Sequence, residues 1–502
     1  METSKRMKTG VPRIDNLIGD QFVAPKTSQY IDVISPTDDR VIATCALSSA
    51  EDVDHAVQIA SLTFQEWKTL TVKARATILH KFYALMSEHA GELADLIVLE
   101  SGKNRVEALA SVYKGIETIE YACSLPQLIQ GKILQVSREI TCHEIREPLG
   151  VIVSIVPFNF PVMVPMWTIP IALALGNCVI LKPSEKVPMT MHRTAQLLQQ
   201  AGVPPGAFQI INGKEKAVNR LCDHPQVAAV TFVGSSRVAQ TIARRCRAID
   251  KRVLALGGAK NHLVAAVDAQ AEMTAQDIVT SYAGCAGQRC MAASVLLLVG
   301  DREDILKLVV KKSKELTRGV EKGQVGALID SDAKVRVLRY IDEAESSGAI
   351  VLVDGRSWAT EPKGNWVGPT VLLHKSADDP AMKEEIFGPV LSVFKVQTNE
   401  DALDIVNSSE YGNAACVYTM KGETAEYFQT RFRAGMIGVN VGIPVPREPF
   451  SFGGLYGTKS KYGDVDITGD GCVEFFSNRR KVTTKWSLVK SNEDKANFTG
   501  QM

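Results

Sequence analysis

Apolar residues recur at helical spacing through the first quarter of the chain. Ser48-x-x-Glu51 has the form of a capping box, in which a hydroxyl and a carboxylate satisfy the free groups that open a helix. Ala56, Val57, Ile59, Ala60, Phe64 and Trp67 follow on one helical face. A second amphipathic stretch runs from about Val72 to His89, and a third continues through Leu96 and Ile97. The pattern predicts helices over residues 48–127. Residues 133–148 (ILQVSREITCHEIREP) read as extended strands, and the weakly alternating tail, 473–489, reads as an edge strand that could pair with them.

From Leu149 onward the period changes. Short apolar runs alternate with helical stretches: GVIVSIVP (150–157), CVILKP (178–183), FQIING (208–213), VAAVTFVG (227–234) and RVLALGG (252–258). Strands separated by about 15–25 residues predict βαβ units, hence an α/β fold with a parallel sheet covered on both faces. A second such region begins near Ser294 (SVLLLVG) and includes VLVDG (351–355), VLLHK (371–375), PVLSVFKV (389–396) and ACVYT (415–419). It predicts a second α/β lobe, and 502 residues are too many for one core.

Composition narrows the function. The 57 basic and 56 acidic side chains leave a net charge of +1, which gives no reason to expect a nucleic-acid or anionic-membrane partner. The most apolar region, Val151 to Leu181, is broken by Pro157, Asn159, Pro161, Pro165 and Pro170, which suits loops and buried strands better than a membrane span. Met1 to Gly10 is short and basic with no apolar stretch behind it, unlike a secretory signal. The ten cysteines form no C-x-x-C pair and have no histidine cluster beside them. No metal site is expected, and a reducing cytoplasm suits them better than a disulfide framework.

Five segments offer chemistry. Gly284-Cys285-Ala286-Gly287-Gln288-Arg289-Cys290 joins two thiols and an arginine in a small-residue loop. A nucleophilic cysteine needs a positive neighbour such as Arg289 and an exposed position, although a buried structural cysteine fits the heptad equally well. Asn159, in Pro157-Phe158-Asn159-Phe160-Pro161, offers a rigid amide donor for an oxyanion, or is a polar loop residue. Lys182 and Glu185 follow an apolar strand, where a doubly wound sheet would hold a dinucleotide; a solvated strand end is the alternative. Gly234 and Ser235 stand between a strand and a probable helix, where a pyrophosphate would approach, although no G-x-G-x-x-G is present. Glu385 precedes Phe387 by two residues in a loop, so a carboxylate and a ring could meet a nicotinamide riboside, or the acid is simply surface.

Taken together and in this order, PFNFP, LKPSE, FVGSS, LGGAK, GQRC and EEIFGP resemble the aldehyde dehydrogenase superfamily from about residue 25 to 490. The resemblance implies an NAD-binding Rossmann-type domain (1–127 and 148–257), a catalytic domain (258–452) and oligomerisation or bridging segments (128–147 and 453–502). It implies a homo-oligomer, dimer or tetramer. Cys290 would attack a small-molecule aldehyde, with Asn159 as oxyanion donor. Pro157, Phe158, Lys182, Glu185, Gly234, Ser235, Glu385 and Phe387 would hold NAD.

One departure points to a subclass. Hydrolytic members carry a glutamate before LGG to activate water, but Ala255 stands there. Gly258 to His262 (GAKNH), Gly287 to Met291 (GQRCM) and Gly438 to Pro446 (GVNVGIPVP) resemble the methylmalonate/malonate-semialdehyde dehydrogenases, which pass the acyl group to coenzyme A. Those enzymes hold their substrate's carboxylate with two arginines. Arg289 matches one; Lys114 stands where the second is expected, and lysine lacks the bidentate fork. Arg447 is an additional cation in a loop that often lines the aldehyde tunnel. The alternatives are a hydrolytic NAD(P)-dependent enzyme that yields a carboxylic acid with Glu385 or a water chain as base, and a catalytically weak paralogue with a binding role.

Overall fold

A computed structural model describes residues 10–360 and 363–486. The predicted helical region forms four helices: Ala50–Trp67, Val72–Glu88, Ala90–Ser101 and Arg105–Leu128. The capping box is real but lies one residue later than expected. The Ser49 hydroxyl accepts from the Asp52 amide at 3.2 Å and the Asp52 carboxylate accepts from the Ser49 amide at 2.7 Å. Ser48 instead donates to Asn16. Asp is one methylene shorter than Glu, yet it closes the same reciprocal pair.

The alternating region builds an eight-stranded sheet. Its five central strands are parallel, in the spatial order Arg252–Leu256, Val227–Val233, Val151–Ile155, Cys178–Lys182 and Phe208–Ile210. The first strand in sequence, Val151–Ile155, lies in the middle, and the chain winds outward from it in both directions. Strand order therefore reverses between Val151–Ile155 and Val227–Val233, and a crevice opens at their carboxyl ends. Lys461–Tyr462, inside the segment assigned above to bridging, pairs antiparallel onto Arg252–Leu256.

The apolar stretch Val151–Leu181 holds a helix that its prolines hide. Met163–Leu175 is helical and buried on all sides. Pro165 falls in the first turn, where an amide has no intrahelical partner to lose, and only Pro170 interrupts the ladder. Burial on every face overrides the propensity cost. No helix among the described residues is long and apolar enough to cross a membrane.

The second lobe is a seven-stranded sheet ordered Ile350–Val353, Thr370–Leu373, Val390–Val396, Ala293–Val299, Asn261–Ala265, Ala414–Tyr418 and Met436–Val439, parallel except for its first strand. A separate sheet joins Lys132–Ser137, Ile140–Pro148 and Ser477–Lys485. From Ser477 to Lys485 the expected tail strand pairs with 140–148 within this chain, whereas residues 473–475 close the helix Gly469–Phe475; residues 487–489 of that expectation lie outside the described residues. Ile133, Leu134 and Val136 stand exposed on this sheet.

Candidate active site

Each parallel strand delivers a loop at its carboxyl end, and those loops meet at the reversal in strand order. Val151–Ile155 runs into Pro157 to Phe160, Cys178–Lys182 into Glu185, and Val227–Val233 into Gly234 and Ser235. Ser235 heads the Ser236–Arg247 helix, is exposed, and makes no side-chain cap. The first-turn amides are thus left without that partner, which suits an anionic group. Lys182 reaches Glu185 at 3.2 Å. Burial raises the Glu185 carboxyl, but Lys182 and Lys186 outweigh it and the net direction is down, so the group is ionised. These features fit an adenosine ribose and a pyrophosphate.

On the facing lobe, Phe387 meets Phe158 edge-on with ring centroids 6.0 Å apart. Two rings singled out separately in the sequence are therefore neighbours in space. Phe387 holds φ of +53°, a conformation a bulky residue adopts only when its surroundings impose it. Glu385 accepts from the Ala259 amide at 2.9 Å. Its carboxylate lies so close above Gly258 that a Cβ there would stand 2.1 Å from Oε2. Burial pushes the Glu385 carboxyl up to about 7, and burial pulls the nearby Lys260 ammonium down to about 7.

Cys290 opens the turn before the Ala293–Val299 strand. Its carbonyl accepts from Asn261 Nδ2 and from Asn413 Nδ2, each at 2.8 Å. These clamps fix the backbone beneath the thiol. Burial and the Glu385 charge push the thiol up to about 12, against the pull of the Cys290 and Met291 amides and of Arg289. Asn159 is buried and donates Nδ2 to the Gln288 carbonyl at 3.0 Å, two residues before Cys290. An amide nitrogen has two hydrogens, so one remains for a second acceptor. The Asn159 Oδ1 is buried with no partner, an expensive state for a polar atom. Lys103, also buried, donates to the Asn159 carbonyl at 2.7 Å.

The cations occupy less open positions than their motifs suggest. Arg289 donates to Glu107 at 3.0 Å and to the Cys285 sulfur at 3.1 Å. Glu107 also accepts the Cys285 amide at 2.9 and 3.0 Å. Lys114 donates to Glu117 at 2.8 Å and to Glu448 at 3.4 Å. Arg447 is exposed and has no ion-pair partner among the described residues. The sequence reading missed Glu107, Lys103, Asn261, Asn413 and Glu448. Asn261 lies inside the GAKNH motif and Glu448 follows Arg447; the other three carried no signal.

The family model for the aldehyde dehydrogenase family matches residues 22–482. The chain belongs to the aldehyde dehydrogenase family. Malonate-semialdehyde dehydrogenase 2 of Oceanobacillus iheyensis is 40% identical over 485 residues, which cover 95% of this chain and 99% of that protein. A protein of the same name from Geobacillus kaustophilus is 39% identical, covering 96% of this chain and all of its own length (100%). Among solved structures, methylmalonate-semialdehyde dehydrogenase of Oceanimonas doudoroffii superposes with a TM-score of 0.93 at 37% identity, covering 95% of this chain and 99% of its own. A methylmalonate-semialdehyde dehydrogenase described from Sinorhizobium meliloti, crystallised with NAD, gives 0.94 at 33% identity, covering 96% and 100%. The mixed α/β architecture is therefore the aldehyde dehydrogenase fold, and the chain is an aldehyde dehydrogenase.

One substitution isolates the Glu385 contact. Gly258→Ala is expected to expel the carboxylate, because the new methyl overlaps it. The KM for NAD should rise about tenfold, equivalent to about 1.4 kcal/mol of binding. Steady-state kinetics with NAD varied, beside a thermal melt, check this.

Proposed function

We propose that this enzyme oxidises a carboxylate-bearing semialdehyde, malonate or methylmalonate semialdehyde, and passes the acyl group to coenzyme A. The observation that carries the reading is an intact cysteine–asparagine centre combined with Ala255. That residue is fully buried and apolar where hydrolytic relatives keep their water-activating acid. The names of the similar proteins support the substrate class.

In this reading Glu185 and Lys182 hold the adenosine ribose, Gly234 and Ser235 lie at the pyrophosphate, and Pro157, Phe158, Glu385 and Phe387 frame the nicotinamide riboside. NAD, when bound, supplies the hydride acceptor and a positive ring. The chain's own residues do the rest. Cys290 Sγ attacks the aldehyde carbon and forms a thiohemiacetal. The free hydrogen of Asn159 Nδ2 and the Cys290 amide stabilise its oxyanion. Loss of hydride leaves an acyl thioester on Cys290. The thiolate of coenzyme A then attacks that carbonyl, and Cys290 leaves as the thiolate. The β-carboxylate departs as CO₂; the electron pair it leaves forms the enolate of the thioester, which takes a proton from solvent at the α-carbon.

The reading extends to assembly and location. Exposed Ile133, Leu134 and Val136 support a homo-oligomer, dimer or tetramer. Ten free cysteines support the cytoplasm.

The deciding experiment follows NADH with malonate semialdehyde, with and without coenzyme A. Without it, NADH should stop at one equivalent per site; with it, turnover should continue. Multiple turnovers in its absence would mean that water takes the acyl group, and the acylating reading would fall. A panel of malonate, methylmalonate and succinate semialdehydes against propanal tests the substrate class. A tenfold preference for propanal would sink it.

A further inference from the structure

The helix Pro188–Ala201 begins where the loop carrying Glu185 ends, and it lacks a cap of its own. Val187 stands at its N-cap position without a side-chain acceptor, and Pro188 has no amide hydrogen to satisfy. The first free amides are those of Met189 and Thr190. Both go to Glu100, on the helix Ala90–Ser101, at 2.8 and 3.1 Å. The Thr190 hydroxyl donates to the same carboxylate. Glu100 is fully buried and has no ion-pair partner among the described residues. Burial pushes its carboxyl up to about 7, against the pull of these three hydrogen bonds. An anion in this place also meets the positive end of the helix dipole.

The loop 183–187 is thus fixed at both ends. At one end the Lys182 carbonyl accepts the Val156 amide at 3.1 Å; at the other stands Glu100. Between them Glu185 pairs with Lys182. The charges of Lys182, Glu185 and Glu100 all act on the buried Cys45 thiol, so the three stand about one point. Three residues after Glu100, Lys103 donates to the Asn159 carbonyl. One short segment therefore braces the cofactor loop with one side chain and the oxyanion donor with another.

We propose that Glu100 is a positioning residue: by anchoring the head of the Pro188–Ala201 helix it holds the Glu185 loop in place, and so sets the affinity for NAD and the preference for NAD over NADP. The inference rests on the reading in which Glu185 holds the adenosine ribose. A carboxylate there accepts from both ribose hydroxyls and repels a 2′-phosphate, and both effects depend on where its oxygens stand. Release of the helix head lets Glu185 move away, which weakens NAD and removes the obstacle to NADP.

The test is steady-state kinetics with NAD and with NADP varied. Glu100→Gln keeps the volume but turns an NH₂ group toward one of the two amides, so only one stays satisfied. It should raise the KM for NAD about fivefold and the ratio of kcat/KM for NADP to that for NAD about fivefold, with kcat and the KM for the aldehyde changed less than about twofold. Thr190→Val, should the glutamine variant fold poorly, removes the hydroxyl bond alone and should move both quantities the same way by a smaller factor. Glu185→Ala should raise the NADP to NAD ratio by itself, and adding Glu100→Gln to it should change that ratio by less than about twofold, because the effect runs through Glu185. An unchanged KM for NAD and an unchanged ratio in both Glu100→Gln and Thr190→Val overturn the proposal. So does an equal loss in kcat and in the KM for the aldehyde, which would make Glu100 a general structural residue. A ratio that Glu185→Ala does not move removes Glu185 from the ribose, and the proposal falls with it. Turnover without coenzyme A strikes only the acylating reading and leaves this test intact.

Discussion

Cys290→Ala should abolish aldehyde oxidation, with a loss on the order of a hundred-thousandfold in kcat. The size follows from the route: without sulfur there is no covalent adduct from which hydride can leave, and nothing else in the loop replaces it. Cys285 is the nearest rival in sequence, but it is buried and its sulfur is occupied by Arg289. The measurement is a rapid-mixing trace of NADH. The parent should show one equivalent per site before the steady phase; Cys290→Ala should show none, and Cys285→Ala should keep it. A burst that survives in Cys290→Ala would move the nucleophile elsewhere.

Asn159→Ala should lower kcat about a hundredfold to a thousandfold, roughly 3–4 kcal/mol, with KM for the aldehyde nearly unchanged. The donor is worth most when the carbonyl oxygen becomes an anion, so its loss falls on the transition state rather than on binding. Asn159 is firmly held. Gln288 takes one amide hydrogen, Lys103 fixes its carbonyl, and its own Oδ1 goes without a partner. Asn159→Ala also removes that unpaired oxygen, so the melting temperature should not fall with the activity. A variant that loses both together would make Asn159 a structural residue.

The sheets were legible because strands buried on both faces read as short apolar runs with turn residues between them. The helix Met163–Leu175 was not, because Pro165 and Pro170 argue against it locally and only the surrounding lobe argues for it. The strand Asn261–Ala265 is hard to read locally because its first two residues belong to the GAKNH motif. Cys290, Asn159 and Glu385 were legible as motif positions, not from physics alone: each taken singly was balanced by an ordinary structural explanation. Their partners could not be seen. Glu107 bonds to an amide 178 residues away, and Glu448 to a lysine 334 residues away. Nothing in a local pattern states which distant segment a helix face will meet. For the same reason Lys114 and Arg289 read as free cations, although each has an acid beside it.

Ala255 has a thermodynamic consequence. It lies in the strand Arg252–Leu256, paired through its backbone to Phe232 on one side and Tyr462 on the other, in a position with no access to solvent. An oxidation that ends in water gives up its energy as heat. One that ends on a second sulfur conserves much of it in a bond that later enzymes can break to drive their own reactions. Under the proposed transfer to coenzyme A, the product would be an activated building block rather than a spent acid.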